Sequence, residues 1–168
     1  MPFRFRQSFV LSRFIRRYLA LLVADIPDSD LYGLQEQGIN SPGWCLGHVA
    51  VETDAAYRHL WSEGIVPDEW YRLFYFTSPP LKVTPELPGK NNLTDALENI
   101  FTILKPAMEG KPEDFWDQEC HSSFLREDLP TEGDWYQHIL TTHPAMHAGN
   151  IATWRRIRGF GPASYGTQ

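Results

Sequence analysis

Cysteine is scarce in this chain. Cys45 and Cys120 stand far apart and form no CxxC pair. A disulfide between them is allowed but not required, and a reduced chain in the cytoplasm is the simpler expectation. Long apolar runs are missing too: none approaches the roughly 20 residues that a membrane-spanning helix needs, so no membrane partner is expected. The run Tyr18-Leu19-Ala20-Leu21-Leu22-Val23-Ala24 follows arginine-rich sequence as a secretory leader would. Asp25 closes it, however, and no small-x-small cleavage site follows. Positive charge is also in deficit, with 15 Lys and Arg against 21 Asp and Glu, a formal net charge of −6. Binding a nucleic-acid backbone needs a basic field, so no nucleic-acid partner is expected. The arginines at 4, 6, 13, 16, 17, 155, 156 and 158 read as solvated or interhelical charge.

What the chain does have is enough apolar material for a core. Its 168 residues are 42% hydrophobic and 14% aromatic, which predicts one globular domain over 1–168. Helical periodicity recurs in four stretches. The first spans about 5–24, where Phe9, Phe14, Tyr18, Leu21 and Leu22 share a broad stripe edged by arginines. Ser41-Pro42 opens the second, which runs to about 63 with Gly64 as its C-terminal cap. The third occupies 93–108, capped by Asn92, with Leu93, Leu97, Ile100 and Leu104 inward. The fourth begins at Thr131, with Asp134 as a capping partner, and continues to about 158, ahead of Gly159 and Gly161, with His143, His147, Ile151, Trp154 and Arg158 as its stripe. Between the second and third, residues 65–91 hold Pro67, Pro79, Pro80, Pro85 and Pro88 and an aromatic cluster from Trp70 to Phe76. A connection this long covers something or crosses the molecule, which lets helices 2 and 3 run parallel. Residues 111–130 form a second irregular stretch.

Two histidines four residues apart, His143 and His147, sit inside the fourth helix. Four steps of about 100° bring both imidazoles to one face, one turn apart, the spacing at which a helix offers two nitrogens to one metal ion. Six histidines in 168 residues yield such a pair about 0.2 times by chance, so spacing alone leaves packed or solvated histidines as an equal alternative. A third ligand would tip the balance. His48 shares the inward stripe of helix 2 with Trp44, Val51 and Ala55. His59 lies on the same face three turns on, too far to share the ion, and His121 falls in a loop. His138, nine residues before His147, is near 180° around the helix, so it faces away and is not a ligand. Two residues break helical rules near the pair. Pro144 removes a hydrogen bond and should kink the helix at about 3 kcal/mol, and Gly149 costs about 1 kcal/mol against Ala. Clustered rule-breaking accompanies functional sites, although close packing accounts for Gly149 equally well.

The strings Trp44-Cys45-Leu46-Gly47-His48-Val49-Ala50 and Thr142-His143-Pro144-Ala145-Met146-His147-Ala148-Gly149-Asn150 resemble the W-x-L-G-H-L-A and T-H-x-x-M-H-x-G-Q motifs of the DinB/YfiT-like family of metalloenzymes. Trp154-Arg155-Arg156 extends the likeness, which covers nearly the whole chain. The resemblance implies an all-α four-helix bundle of up-down-down-up connectivity, with a long crossover between helices 2 and 3. It also implies a divalent metal held by His48, His143 and His147, a homodimer, and the activities known in the family, thiol-dependent transferases and an isomerase. Asn150 stands where the family has Gln, and Pro144 is an unusual occupant of its position.

Three neutral imidazoles leave an open coordination position and suit Zn²⁺ or Ni²⁺. That position would carry water or the thiolate of a low-molecular-weight thiol. Glu52, one turn after His48, is the nearest candidate for a general base, against the plainer reading of a surface carboxylate. Two functions follow. One is a metal-dependent thiol S-transferase or isomerase acting on a small-molecule substrate. The other is a non-catalytic, stress-associated or ligand-binding bundle whose metal site is structural or vestigial.

Overall fold

The computed structural model describes residues 4–79 and 81–163, so Pro80, among the expected helix breakers, lies outside the described residues. The chain is all-helical over this span. Its α-helices are α1 (Arg6–Val23), α2 (Pro42–Trp61), α3 (Asp68–Phe74), α4 (Lys90–Glu109), α5 (Glu132–Leu140) and α6 (Thr142–Ile157), with short 3₁₀ turns between them. The only extended pairing among the described residues is an isolated bridge, Glu119 to Thr131.

Helix α2 lies at the centre, packed against α3, α4, α5 and α6. Every residue from Cys45 to Val51 is buried, so its apolar residues need no single stripe. Its start is as expected: Ser41 Oγ accepts the Trp44 amide at 3.2 Å, and Pro42 takes the first helical position. Its end is not. The chain turns left-handed at Ser62 (φ 64°), two residues before Gly64, and the Ser62 amide returns to the Arg58 carbonyl. Gly64 is demanded by proximity instead. A Cβ there would stand 2.2 Å from the Asp54 carboxylate and the Arg58 guanidinium. Asp54 is fully buried and accepts from Arg58, the Ile65 amide and the Tyr71 hydroxyl at 2.8–2.9 Å, which ties the start of the crossover to α2.

Within the crossover, α3 is a seven-residue helix that 65–91, read as irregular, conceals. Trp70 and Phe74 fasten it to the core. Helix α4 begins at Lys90, three residues earlier than an Asn92 cap implies. The reason is tertiary: Asp28, from a distant turn, accepts the Lys90 amide at 3.3 Å, and Lys90 Nζ bonds the Ala24 and Ile26 carbonyls beyond α1. Leu93, Leu97, Ile100 and Leu104 are buried as their spacing predicts.

Two expectations about faces need correction. In α1 the buried set is Ser8, Ser12, Leu19, Leu22 and Val23. Phe14 is 60% exposed. Small serines let α1 approach its neighbours closely, and the larger Val10, Leu11 and Phe14 face outward. In α6 it is Arg155, not Arg158, that points in. Arg155 is 1% exposed, pairs with Asp25 and donates to the Leu22 carbonyl, whereas the more exposed Arg158 reaches Asp30.

The expected fourth helix is two helices. Thr131 and Asp134 form the capping box that opens α5. The helix then breaks at Thr141 (φ −130°, ψ −75°) before α6 begins. Proline lacks the amide that would bond residue i−4, and its ring clashes with that carbonyl, so Pro144 disrupts the chain near Leu140 and Thr141 rather than at itself. Pro144 is then the third residue of α6, where an amide has no intrahelical partner to lose. The interior-proline cost expected from the sequence therefore does not arise. Nor is Gly149 held by close packing: a Cβ there meets nothing within 4 Å.

Candidate metal centre and its cavity

The break at Thr141 leaves His143 and His147 together on α6, one turn apart and near its N-terminus. Across from them, α2 presents His48. One nitrogen from each ring lies within 4.8 Å of the others. The Nε2 atoms of His48 and His143 are 3.2 Å apart, close to the spacing of two ligands that each stand about 2.1 Å from one ion. The rings meet steeply, with interplanar angles of 66–73°, so they fan around a common point. All three histidines are buried, at 6–8% exposure.

Burial keeps these rings neutral. It pushes His143 down to about 2 and His147 to about 3, and neighbouring imidazoles add to the shift. His48 is also lowered by burial, against a hydrogen bond to the Phe74 carbonyl that acts the other way. Its Nδ1 donates to that carbonyl at 2.7 Å, which fixes the tautomer and leaves a lone pair on Nε2. Trp44 stacks on the ring at 4.7 Å. Neutral nitrogens converging on one point are poorly satisfied by one another, and the Nδ1 atoms of His143 and His147 have no hydrogen-bond partner among the described residues. Three neutral nitrogen donors around one point could hold a metal ion.

Glu52 is not a surface carboxylate. Its side chain is 13% exposed, and Oε1 lies 3.8 Å from His48 Nδ1, buried and without a hydrogen bond. Burial raises its carboxyl to about 7, partly offset by a hydrogen bond from the Phe76 backbone. Both Glu52 and His48 line a cavity of about 600 Å³ walled by Tyr75, Phe76, Trp135 and residues 121–125. Of the aromatic cluster in the crossover, Tyr75 and Phe76 reach this cavity, while Trp70 and Phe74 serve the core. Another cavity, of about 720 Å³, lies between residues 28–37 and 83–89 and has no histidine in its lining.

His138 is a correction. Its azimuth on a continuous helix points away from the pair, but the Thr141 break turns α5, and the His138 ring comes 5.6 Å from His143 and into the cavity lining. Its Nδ1 faces the Thr142 hydroxyl at 2.6 Å. It is not among the three converging donors. Asn150, the shortened amide, is exposed. His59 and His121, each read separately from the sequence, stack with ring centroids 3.8 Å from each other beside Glu132. No local periodicity announces that contact, because it joins α2 to a loop and to α5. Cys45 and Cys120 are both free.

The family model described as the DinB superfamily matches residues 11–151, a span that includes all three histidines. No match was found among curated proteins.

Proposed function

We propose, for a chain that belongs to the DinB superfamily, that His48, His143 and His147 bind one Zn²⁺ or Ni²⁺ and that the adjoining cavity joins a low-molecular-weight thiol to a small electrophile. The observation that carries this reading is the convergence of three buried, neutral imidazoles, two of which line one cavity with Glu52, whose Oε1 has no hydrogen-bond partner. The bound ion would supply Lewis acidity, favouring the anionic form of a thiol held at its open position. The protein's residues do the rest. The Phe74 carbonyl holds the His48 ring in its ligating tautomer. Glu52 accepts the thiol proton at its free Oε1. The sulfur lone pair then forms the new bond to carbon as the leaving group departs with its electrons; in an isomerase it adds to the substrate's π bond, the resulting single bond rotates, and the sulfur leaves again with its electron pair as the π bond re-forms. Tyr75, Phe76 and Trp135 keep water from the reacting atoms.

The same reading covers the surroundings of the site. The helices α1, α2, α4 and the α5–α6 pair are taken as a four-helix bundle of up-down-down-up order in a single domain, with the crossover returning the chain so that α2 and α4 run parallel. The outward Val10, Leu11 and Phe14 of α1 are taken as part of a homodimer interface. A reduced cytoplasmic setting agrees with two free thiols. One observation favours a non-catalytic bundle with a structural or vestigial metal site. Metal-bound histidines usually donate their second N–H to an acceptor, and the Nδ1 of His143, whose Nε2 faces His48, has none.

Co²⁺-substituted protein separates the two. A panel of cysteine-derived thiols should include one that produces a sulfur-to-metal charge-transfer band. The band should vanish in His147→Ala and persist in His138→Ala, because His138 lines the cavity without joining the donor set. A spectrum unmoved by every thiol would leave the transferase without its mechanism and give the lead to the non-catalytic bundle.

A further inference from the structure

Outside the three-histidine group, His59, His121 and Glu132 bring a second set of donor atoms within 4.8 Å of one another. They come from three segments. His59 stands in the last turn of α2, Glu132 opens α5, and His121 lies in the loop enclosed by the bridge between Glu119 and Thr131. The carboxylate is firmly placed. Glu132 is 3% exposed, and its Oε1 accepts the His121 amide at 2.8 Å and His121 Nδ1 at 2.9 Å. His59 Nε2 faces the same oxygen at 3.5 Å. The buried carboxylate thus has two imidazole nitrogens turned onto Oε1, and His121 Nδ1 also lies 3.0 Å from Oε2. A buried anion calls for a cation beside it, either a proton shared with the imidazoles or a metal ion.

We propose that His59, His121 and Glu132 form a second divalent-metal site, for an ion of the Zn²⁺ class, that ties one wall of the cavity to α2 and α5. Two imidazoles and a carboxylate are a donor set that Zn²⁺ accepts readily. The His121 amide already orients the carboxylate, as outer partners do for metal ligands. The two rings lie nearly face to face, 18° from parallel, so one must turn to aim its lone pair at a shared ion. His59, with a side chain 31% exposed, has the room. Binding at His121 Nδ1 needs the ring's proton on Nε2, and a doubly protonated ring must first lose a proton to solvent, which makes binding weaker at low pH. Residues 122–125, which follow His121 directly, line the cavity, so loading the site fixes that wall. His59 lies eleven residues from His48 along α2, about 16 Å at 1.5 Å per residue. Two-metal centres hold their ions about 3.5–4 Å apart, so this is a separate ion and not half of a binuclear centre.

Tag-free protein stripped of metal and titrated with Zn²⁺ against a chromophoric chelator tests the site. Wild type should take up two equivalents, with one remaining in His59→Ala and one in His147→Ala. His59 is exposed on its helix, so its replacement leaves the core intact. Uptake of the same number of equivalents by wild type and His59→Ala overturns the proposal. So does a second equivalent held only more weakly than about 10 μM, the strength of adventitious binding. One equivalent that is lost in His59→Ala and kept in His147→Ala would uphold this site and sink the three-histidine reading instead. In His147→Ala, Zn²⁺ should also slow amide exchange across residues 121–125, and unchanged exchange would refute the tie to the cavity wall.

Discussion

Gly47 and Gly149 are both helical glycines, and they should respond in opposite ways to the same substitution. Gly47 precedes His48 on α2, where a Cβ would stand 2.6–2.7 Å from ring carbons of Phe74. Gly149 follows His147 on α6 and faces open space. Ala gains about 0.8–1 kcal/mol over Gly in a helix interior wherever nothing opposes it, so Gly149→Ala should be more stable by roughly that amount. At Gly47 the same gain meets a clash. Carbon atoms pack best at about 3.5–4.0 Å, so Phe74 must retreat by roughly 1 Å. Phe74 is fully buried, with its ring edge on Trp70, and has no slack. Overpacking of this kind costs about 1–3 kcal/mol. Phe74 also carries the carbonyl that accepts His48 Nδ1 at 2.7 Å, and a 1 Å retreat puts that bond beyond hydrogen-bond reach. Losing it removes about 0.5–1.5 kcal/mol more. Gly47→Ala should therefore be destabilised by about 1–3 kcal/mol net, and its metal affinity should fall about 10–100-fold, as when an outer partner of a ligand is lost. Urea denaturation of metal-free protein and competition with a chelator measure the two effects. A Gly47→Ala variant as stable as Gly149→Ala, with unchanged metal affinity, would refute the account.

Two further outcomes follow from the geometry. Glu132 titrates near 2 in the folded chain against an ordinary 4.5, so its stabilisation is complete above about 4.5 and is lost as pH falls toward 2. Glu132→Gln should be less stable than wild type at pH 7, and the two denaturation midpoints should converge on acidification; parallel curves would contradict the assignment. For the dimer, light scattering should return twice the 19.4 kDa chain mass, and Phe14→Glu should return one chain mass with helix content unchanged. Wild type at one chain mass would end the dimer proposal.

What could be read from the sequence was local. Ser41-Pro42 caps and starts a helix through contacts within three residues, and Leu93, Leu97, Ile100 and Leu104 repeat with the helix itself. The HxxxH pair survives because both histidines lie on the same side of the break. What was lost was set by distant partners or by displaced effects. Asp28 extends α4 from sixty-two residues away. Proline acts on the turn before it, so Pro144 breaks the helix at Thr141, three residues upstream, and every azimuth counted through that point is wrong. His138 is the casualty: it reads as facing away and lines the cavity instead. The outward face of α1 was misread for another reason. Apolar periodicity marks two possible faces there, and only packing against neighbouring helices shows that the serines go inside.

Helix α2 explains why the site and the fold are hard to separate. His48, Glu52, Ala55 and His59 recur at intervals of four, three and four residues, which is one stripe of a helix. The first three line the cavity, and the last joins Glu132 and His121. A helix buried on one face could not present this stripe to a cavity and still anchor the core with Leu46, Val49 and Ala50. Because α2 is enclosed by α3, α4, α5 and α6, it does both. At Gly47 that enclosure leaves no room for a Cβ: the glycine admits the Phe74 ring against the helix, and the Phe74 carbonyl in turn sets the His48 ring. The residue without a side chain thus determines how its neighbour's side chain is aimed. This is why Gly47→Ala should register in metal affinity as well as in stability, whereas Gly149→Ala, beside a ligand but facing nothing, should register in stability alone.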